Sequence, residues 1–143
     1  MTVNSVALVA HDHKKPELAE WVVQNKNYLE NMEVYATGTT GRVVFEALGR
    51  DVHALLSGPL GGDQQIGAKI AEGEIDMLIF FWDPLEPMPH DPDIKALLRI
   101  AALWDVPVAC NRASADYLIR SPLIKEEYAS KRPDFSEYTN RKV

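Results

Sequence analysis

Short apolar runs alternate along this chain with longer amphipathic segments, and that alternation constrains the fold more than any single residue does. SVALVA (5–10) reads as a buried strand. PELAEWVVQNKNYLE (16–30) reads as a helix, with Leu18, Trp21, Val22 and Leu29 at helical spacing and Pro16 in its first turn. EVYA (33–36) is a strand candidate, followed by TGTTG and a helix, RVVFEALG, that stops at Gly49. VHALL (52–56) suits another strand, and QQIGAKIAEG (64–73) a helix ended by Gly73. DMLIFFW (76–82) is apolar on both faces, the pattern of a strand at the centre of a sheet. PDIKALLRIAALWD (92–105) predicts a helix, VPVAC (106–110) a short strand and ASADYLIR (113–120) a short helix. The β-α-β-α order predicts a three-layer α/β/α fold, with a central, mainly parallel sheet and right-handed crossovers.

The 143 residues suit one domain, 1–143, with no linker-like stretch or internal repeat to divide it. A net charge of −6 argues against nucleic acid as a partner, and no apolar run is long enough to span a membrane. The amino-terminal MTVNSVALVAHDHKK does not read as a signal peptide. The single cysteine, Cys110, has no partner for an internal disulfide, which favours a reducing, cytoplasmic compartment. Cys110 reads as a small core residue, His53 as a structural histidine within a strand, and Trp21 and Trp104 as core positions of helices.

In a parallel sheet, ligands gather at the carboxyl ends of the strands. The loops to inspect are therefore HDHKK (11–15), TGTTG (37–41), SGPLGGD (57–63), DPLEPMPHDPD (83–93) and NRASAD (111–116), and the first four hold most of the reactive side chains. TGTTG lies between a strand and a helix. Its glycines let an anion approach the backbone, and Thr37, Thr39 and Thr40 add hydroxyls. Plain N-capping by threonine competes with that reading, but three hydroxyls exceed what one cap needs. Lys15 and Ser57 lie at the ends of neighbouring strands. Neither GxxxxGK[ST] nor GxGxxG is present, so a small phosphorylated ligand fits better than a nucleotide. In HDHKK, Lys15 offers a cation for phosphate, and His11 or Asp12 a contact to substrate; a polar surface turn is the competing reading. The prolines between Asp83 and Asp91 stiffen a loop that presents His90, Asp91 and Asp93, although Asp91 alone suits a helix start. Asp63 follows a glycine-lined turn, where a carboxylate can serve either as a helix cap or beside a small ligand.

VALVAHDHKK, YATGTTG, LSGPLGGDQQIGA, DMLIFFWDPL and PHDPDIKALLR, in this order, resemble the methylglyoxal synthase family over about residues 5 to 121. The resemblance implies a Rossmann-like single domain and a lyase that turns dihydroxyacetone phosphate into methylglyoxal and inorganic phosphate, without metal or organic cofactor. It implies Asp63 as catalytic base, His90 on the carbonyl and hydroxyl oxygens, and Asp93 as a partner of the base or of His90. Asp12 and Asp83 match further acids around the site, and His11 matches a substrate-binding position. Lys15, Thr37, Gly38, Thr39, Thr40, Ser57 and Gly58 match the phosphate site. It also implies a homohexamer that phosphate inhibits allosterically. The likeness fades after Ser121, and Arg141 is the nearest candidate for a family arginine that reaches a phosphate across a subunit boundary.

The residue types suit that chemistry. A carboxylate with an ordinary pKa of about 3.9 is a feeble base toward a carbon acid. It needs donors for the developing enediolate and shielding from water. Charge and hydrogen bonds from Lys15 and TGTTG would stabilise departing phosphate. Two other readings stand beside this one: a regulatory module of the same fold that binds a small effector without chemistry, and a metal-dependent hydrolase using His11, Asp83, His90 and Asp93.

Overall fold

The computed structural model describes residues 3–86, 91–125 and 132–141. Its five strands are β1 (Ser5–Ala10), β2 (Glu33–Thr37), β3 (His53–Leu55), β4 (Met77–Phe81) and β5 (Val108–Ala109). They form one sheet in the order β3-β2-β1-β4-β5, and every pairing is parallel. The mainly parallel sheet expected from the alternation is thus wholly parallel. β1, not β4, is the middle strand; β4 lies beside it and is buried at every residue.

The intervening helices are α1 (Lys15–Gln24), α2 (Lys26–Leu29), α3 (Gly38–Leu48), α4 (Gly62–Ala71), α5 (Asp91–Leu103), α6 (Arg112–Ile119) and α7 (Ser136–Thr139). Side chains leave successive strand positions on opposite faces. Accordingly Val6, Leu8 and Ala10 of β1 pack with Leu18, Trp21, Val22, Val44, Ala115 and Ile119, from α1, α3 and α6. Ala7 and Val9 pack on the other side with Ile66, Ile70, Ile94, Leu97 and Ala101, from α4 and α5. That is the three-layer α/β/α arrangement, with two apolar cores separated by the sheet.

The boundaries differ from the sequence reading in instructive places. The segment 16–30 breaks into two helices at Asn25, which is fully buried and donates from Nδ2 to Trp21 O at 2.9 Å. α4 begins at Gly62, two residues before the expected 64, and this places Asp63 in its first turn. Trp104 lies just past α5 and is only partly buried; Phe135 packs edge-on against it at 5.0 Å and the Arg132 guanidinium lies 4.5 Å from its ring centre. Trp21 is the core residue expected. His53 is in β3 as expected, yet its ring is exposed: it stacks on Tyr35 at 4.6 Å and lies 2.7 Å from Glu33 Oε2.

Candidate active site

Parallel pairing brings the loops after β1, β2 and β3 to one edge, where they enclose a cavity of about 240 Å³. The first loop contributes His11, Asp12 and Lys15, the second Thr37, Gly38, Thr39 and Thr40, and the third Ser57, Gly58 and Asp63. Asp63, His11, Asp12 and every residue matched above to the phosphate site lie in this one wall, whereas Asp83 and Arg141 do not line it. His90 falls outside the described residues. Asp93 is half-buried in the first turn of α5 and is not part of the wall.

Thr37 occupies the N-cap position of α3 but makes no side-chain cap hydrogen bond. Simple capping therefore does not account for its hydroxyl. The first amides of a helix have no intrahelical acceptor, and Gly38, Thr39 and Thr40, where those amides begin, form part of the cavity. Gly38 has φ 48°, and a Cβ there would come within 2.8 Å of Ser57 Cβ. Only a glycine lets the second and third loops close on one another. Thr40 is buried and donates to Ala10 O at 3.4 Å, which ties α3 to the end of β1.

Lys15 is the cation of the wall. Its Nζ donates to Asp12 Oδ1 at 2.5 Å and to the Thr39 hydroxyl. The hydrogen bond and charge of Lys15 hold the Asp12 carboxyl below its ordinary range. Asp12 itself is exposed, so this pair orients the ammonium more than it stabilises the fold.

The third loop sets Asp63. After β3 the chain makes a 3-10 turn, Gly58–Leu60, in which the Leu60 and Gly62 amides both donate to Ser57 O, at 3.0 and 2.9 Å. A Cβ on Gly62 would lie 1.9 Å from Leu56 O, so the start of α4 is pressed onto the end of β3. Asp63 follows directly and is only 2% exposed. The helix cap is Gly61, and Asp63 is the second residue of α4, inside the cavity wall. Its place in the first turn is favourable for a carboxylate.

Beyond β4 the chain turns back toward β1. The Asp83 amide donates to His11 Nδ1 at 3.0 Å, and the His11 ring stands edge-on to Phe80 at 5.3 Å. Sequence reasoning missed that amide, since main-chain donors carry no residue letter. It missed also His13, whose Nδ1 lies 2.8 Å from Glu86 Oε1 and 3.6 Å from Asp83 Oδ2. Among the described residues, His11, Asp83 and Asp93 do not gather as the metal-hydrolase reading requires. Cys110 is partly buried away from the cavity wall, and burial pushes its thiol up, the opposite of an activated nucleophile.

The parallel α/β/α sheet carries a buried carboxylate in a cavity at its carboxyl edge, and the model of the MGS-like domain family matches residues 17–110. The chain is 62% identical over 141 residues to a methylglyoxal synthase of Hahella chejuensis, covering 99% of this chain and 92% of that protein. It is 56% identical to one of Coxiella burnetii, with 99% of both chains covered. A crystal structure of methylglyoxal synthase from Elizabethkingia anophelis superposes with a TM-score of 0.89 at 47% identity, covering 99% of this chain and 93% of the other. The chain belongs to the methylglyoxal synthase family and is an enzyme of the lyase class.

Proposed function

We propose that the chain converts dihydroxyacetone phosphate to methylglyoxal and inorganic phosphate. The observation that carries this reading is the single cavity in which a buried carboxylate, Asp63, shares a wall with Lys15, the start of α3 and Ser57–Gly58. The phosphate sits against Lys15, Thr39 and the α3 amides, where charge and hydrogen bonds favour the dianion. That leaves the three-carbon end beside Asp63, which takes the proton next to the carbonyl. His90 donates to the enediolate oxygen, and Asp93 supports it. The enediolate electrons then expel phosphate, whose leaving charge meets the same Lys15 and amide donors.

The same enediolate would give an isomerase if phosphate were retained, so the products decide. Incubation with dihydroxyacetone phosphate is expected to release methylglyoxal and free phosphate in equal amounts, at a rate a strong chelator leaves unchanged. Glyceraldehyde 3-phosphate in their place would overturn the reading, and dependence on a metal would return the hydrolase class. An effector-binding module without chemistry has no use for a carboxylate so deeply set in the ligand cavity. We place the enzyme in the cytoplasm, on the strength of its lone cysteine. Among the described residues no helix is long and apolar enough to cross a membrane.

A further inference from the structure

We propose that His13, Asp83 and Glu86 form a binding site for a divalent cation of the Zn²⁺ type, where the loop after β1 meets the loop after β4, outside the cavity wall. The site is separate from the reaction proposed above, which needs no metal. β1 and β4 pair in parallel as far as Ala10 and Phe81, so the residues that follow the two strands leave the sheet side by side. His13 sits in a 3-10 turn, Asp12–Lys14, and Asp83 and Glu86 lie just beyond β4. His13 Nδ1 is 2.8 Å from Glu86 Oε1 and 3.6 Å from Asp83 Oδ2. The ligand atoms of the three side chains all lie within 4.8 Å of one another. A tetrahedral ion with bonds of about 2.1 Å holds its ligand atoms roughly 3.4 Å apart. The three side chains thus stand near the spacing that one ion imposes.

Charge makes the same demand. Two carboxylates face one imidazole, so the group keeps a net negative charge even with the ring protonated. Lys14 and Lys15, on the same turn, pair elsewhere, with Glu17 and Asp12. Water can solvate the exposed Glu86, but Asp83 is only 6% exposed. A buried charge is paired or coordinates a metal. Asp83 is also the fixed member of the three: the Leu85 amide donates to its Oδ1 at 3.0 Å, and its Oδ2 is the oxygen near His13. Such a hydrogen bond to a carboxylate is how metal ligands are held in place. His13 and Glu86 are exposed, so they are free to close on an ion and leave its remaining positions to water. One imidazole with two carboxylates suits Zn²⁺ better than Mg²⁺ or Ca²⁺, which take oxygen ligands. The pair His53–Glu33 makes the contrast. Its Nε2 is 2.7 Å from Oε2, yet among the described residues no third ligand joins it.

Zn²⁺ alone is the probe, titrated into the whole enzyme against a chromophoric chelator in phosphate-free buffer. Saturable binding of one ion per chain is expected. His13→Gln and Glu86→Gln should each weaken it at least about tenfold, since losing even a group that only supports a metal ligand costs about 10–100-fold. His53→Gln, which removes the other ring–carboxylate pair, should leave it unchanged. So should about a tenfold excess of Mg²⁺ over Zn²⁺. Zinc should also raise Tm, because the ion ties residue 13 to residues 83 and 86 only in the folded chain, and His13→Gln should abolish the rise. No saturable binding, or binding that either His13→Gln or Glu86→Gln leaves intact, overturns the proposal and returns the cluster to an ordinary surface ion pair. Displacement by Mg²⁺ overturns the choice of ion. None of these measurements reads turnover, so their failure is distinct from failure to make methylglyoxal.

Discussion

At the scale of single residues, the proposed base and the proposed phosphate holders make different kinetic predictions. Asp63→Asn is nearly isosteric but cannot take a proton. It should bind dihydroxyacetone phosphate about as well as the wild type while kcat falls at least ~10²-fold, and exchange of the substrate's abstracted hydrogen with solvent should stop with it. Near-normal turnover in a folded Asp63→Asn would move the base to another acid. Lys15→Ala and Thr39→Ala should act mainly on phosphate. The first removes a charged donor worth roughly 1.5–3 kcal/mol, so phosphate should bind about 10- to 100-fold more weakly; the second removes a neutral hydroxyl and should cost up to about tenfold. Titration calorimetry with inorganic phosphate reads both, and unchanged affinity would remove the cradle. These side chains were legible before the fold because polar groups on strand-end loops of a parallel sheet have few structural duties. The Asp83 amide was not, since every residue but proline supplies one. Nor was the cap position: α4 starts at Gly62, which makes Gly61 the cap residue rather than Asp63.

At the scale of elements, the tightest joint is between the end of β3 and the start of α4. Gly62→Ala puts a methyl group 1.9 Å from Leu56 O, closer than any repacking of side chains can relieve, because the obstacle is backbone. The variant should lose about 1–3 kcal/mol of stability by denaturant unfolding, the usual cost of overpacking. In the fraction that folds, kcat and phosphate affinity should fall together, because Ser57 and Asp63 flank the joint. A Gly62→Ala enzyme with unaltered kinetics would separate the base from the cradle. Element type was readable along the chain from periodicity, but ends were not. Trp21, Val22 and Leu29 continue a helical stripe across Asn25, and nothing in their spacing reveals that the Asn25 side chain bonds back to Trp21 O and closes the first helix there. β5 is two residues long where five looked strand-like, because VPVAC carries a proline at its second position and only Val108 and Ala109 pair with β4.

At the scale of the whole molecule, Leu56 and Leu60 beside the cavity and Leu85 after β4 are exposed, Leu85 at 89%. With the family likeness, these apolar loop residues lead us to expect a homo-oligomer, a hexamer. Light scattering at micromolar concentration should report several times the 16.0 kDa of one chain, and a monomer there would count against it. Arg141, the candidate for a contact between subunits, curls onto its own helix: Nη1 donates to Tyr138 O at 2.7 Å, with the guanidinium 3.7 Å from the Tyr138 ring centre. The cavity wall, by contrast, is assembled from residues 11–15, 37–40 and 57–63, which no short piece of chain holds together. They meet only when β1, β2 and β3 are paired in register. The phosphate proposed for this site would therefore be a ligand of the folded state alone, and its binding energy would add to folding: at a hundredfold excess over Kd this amounts to about 2.7 kcal/mol. On that reading free phosphate shifts the folding equilibrium of this enzyme as well as filling its site.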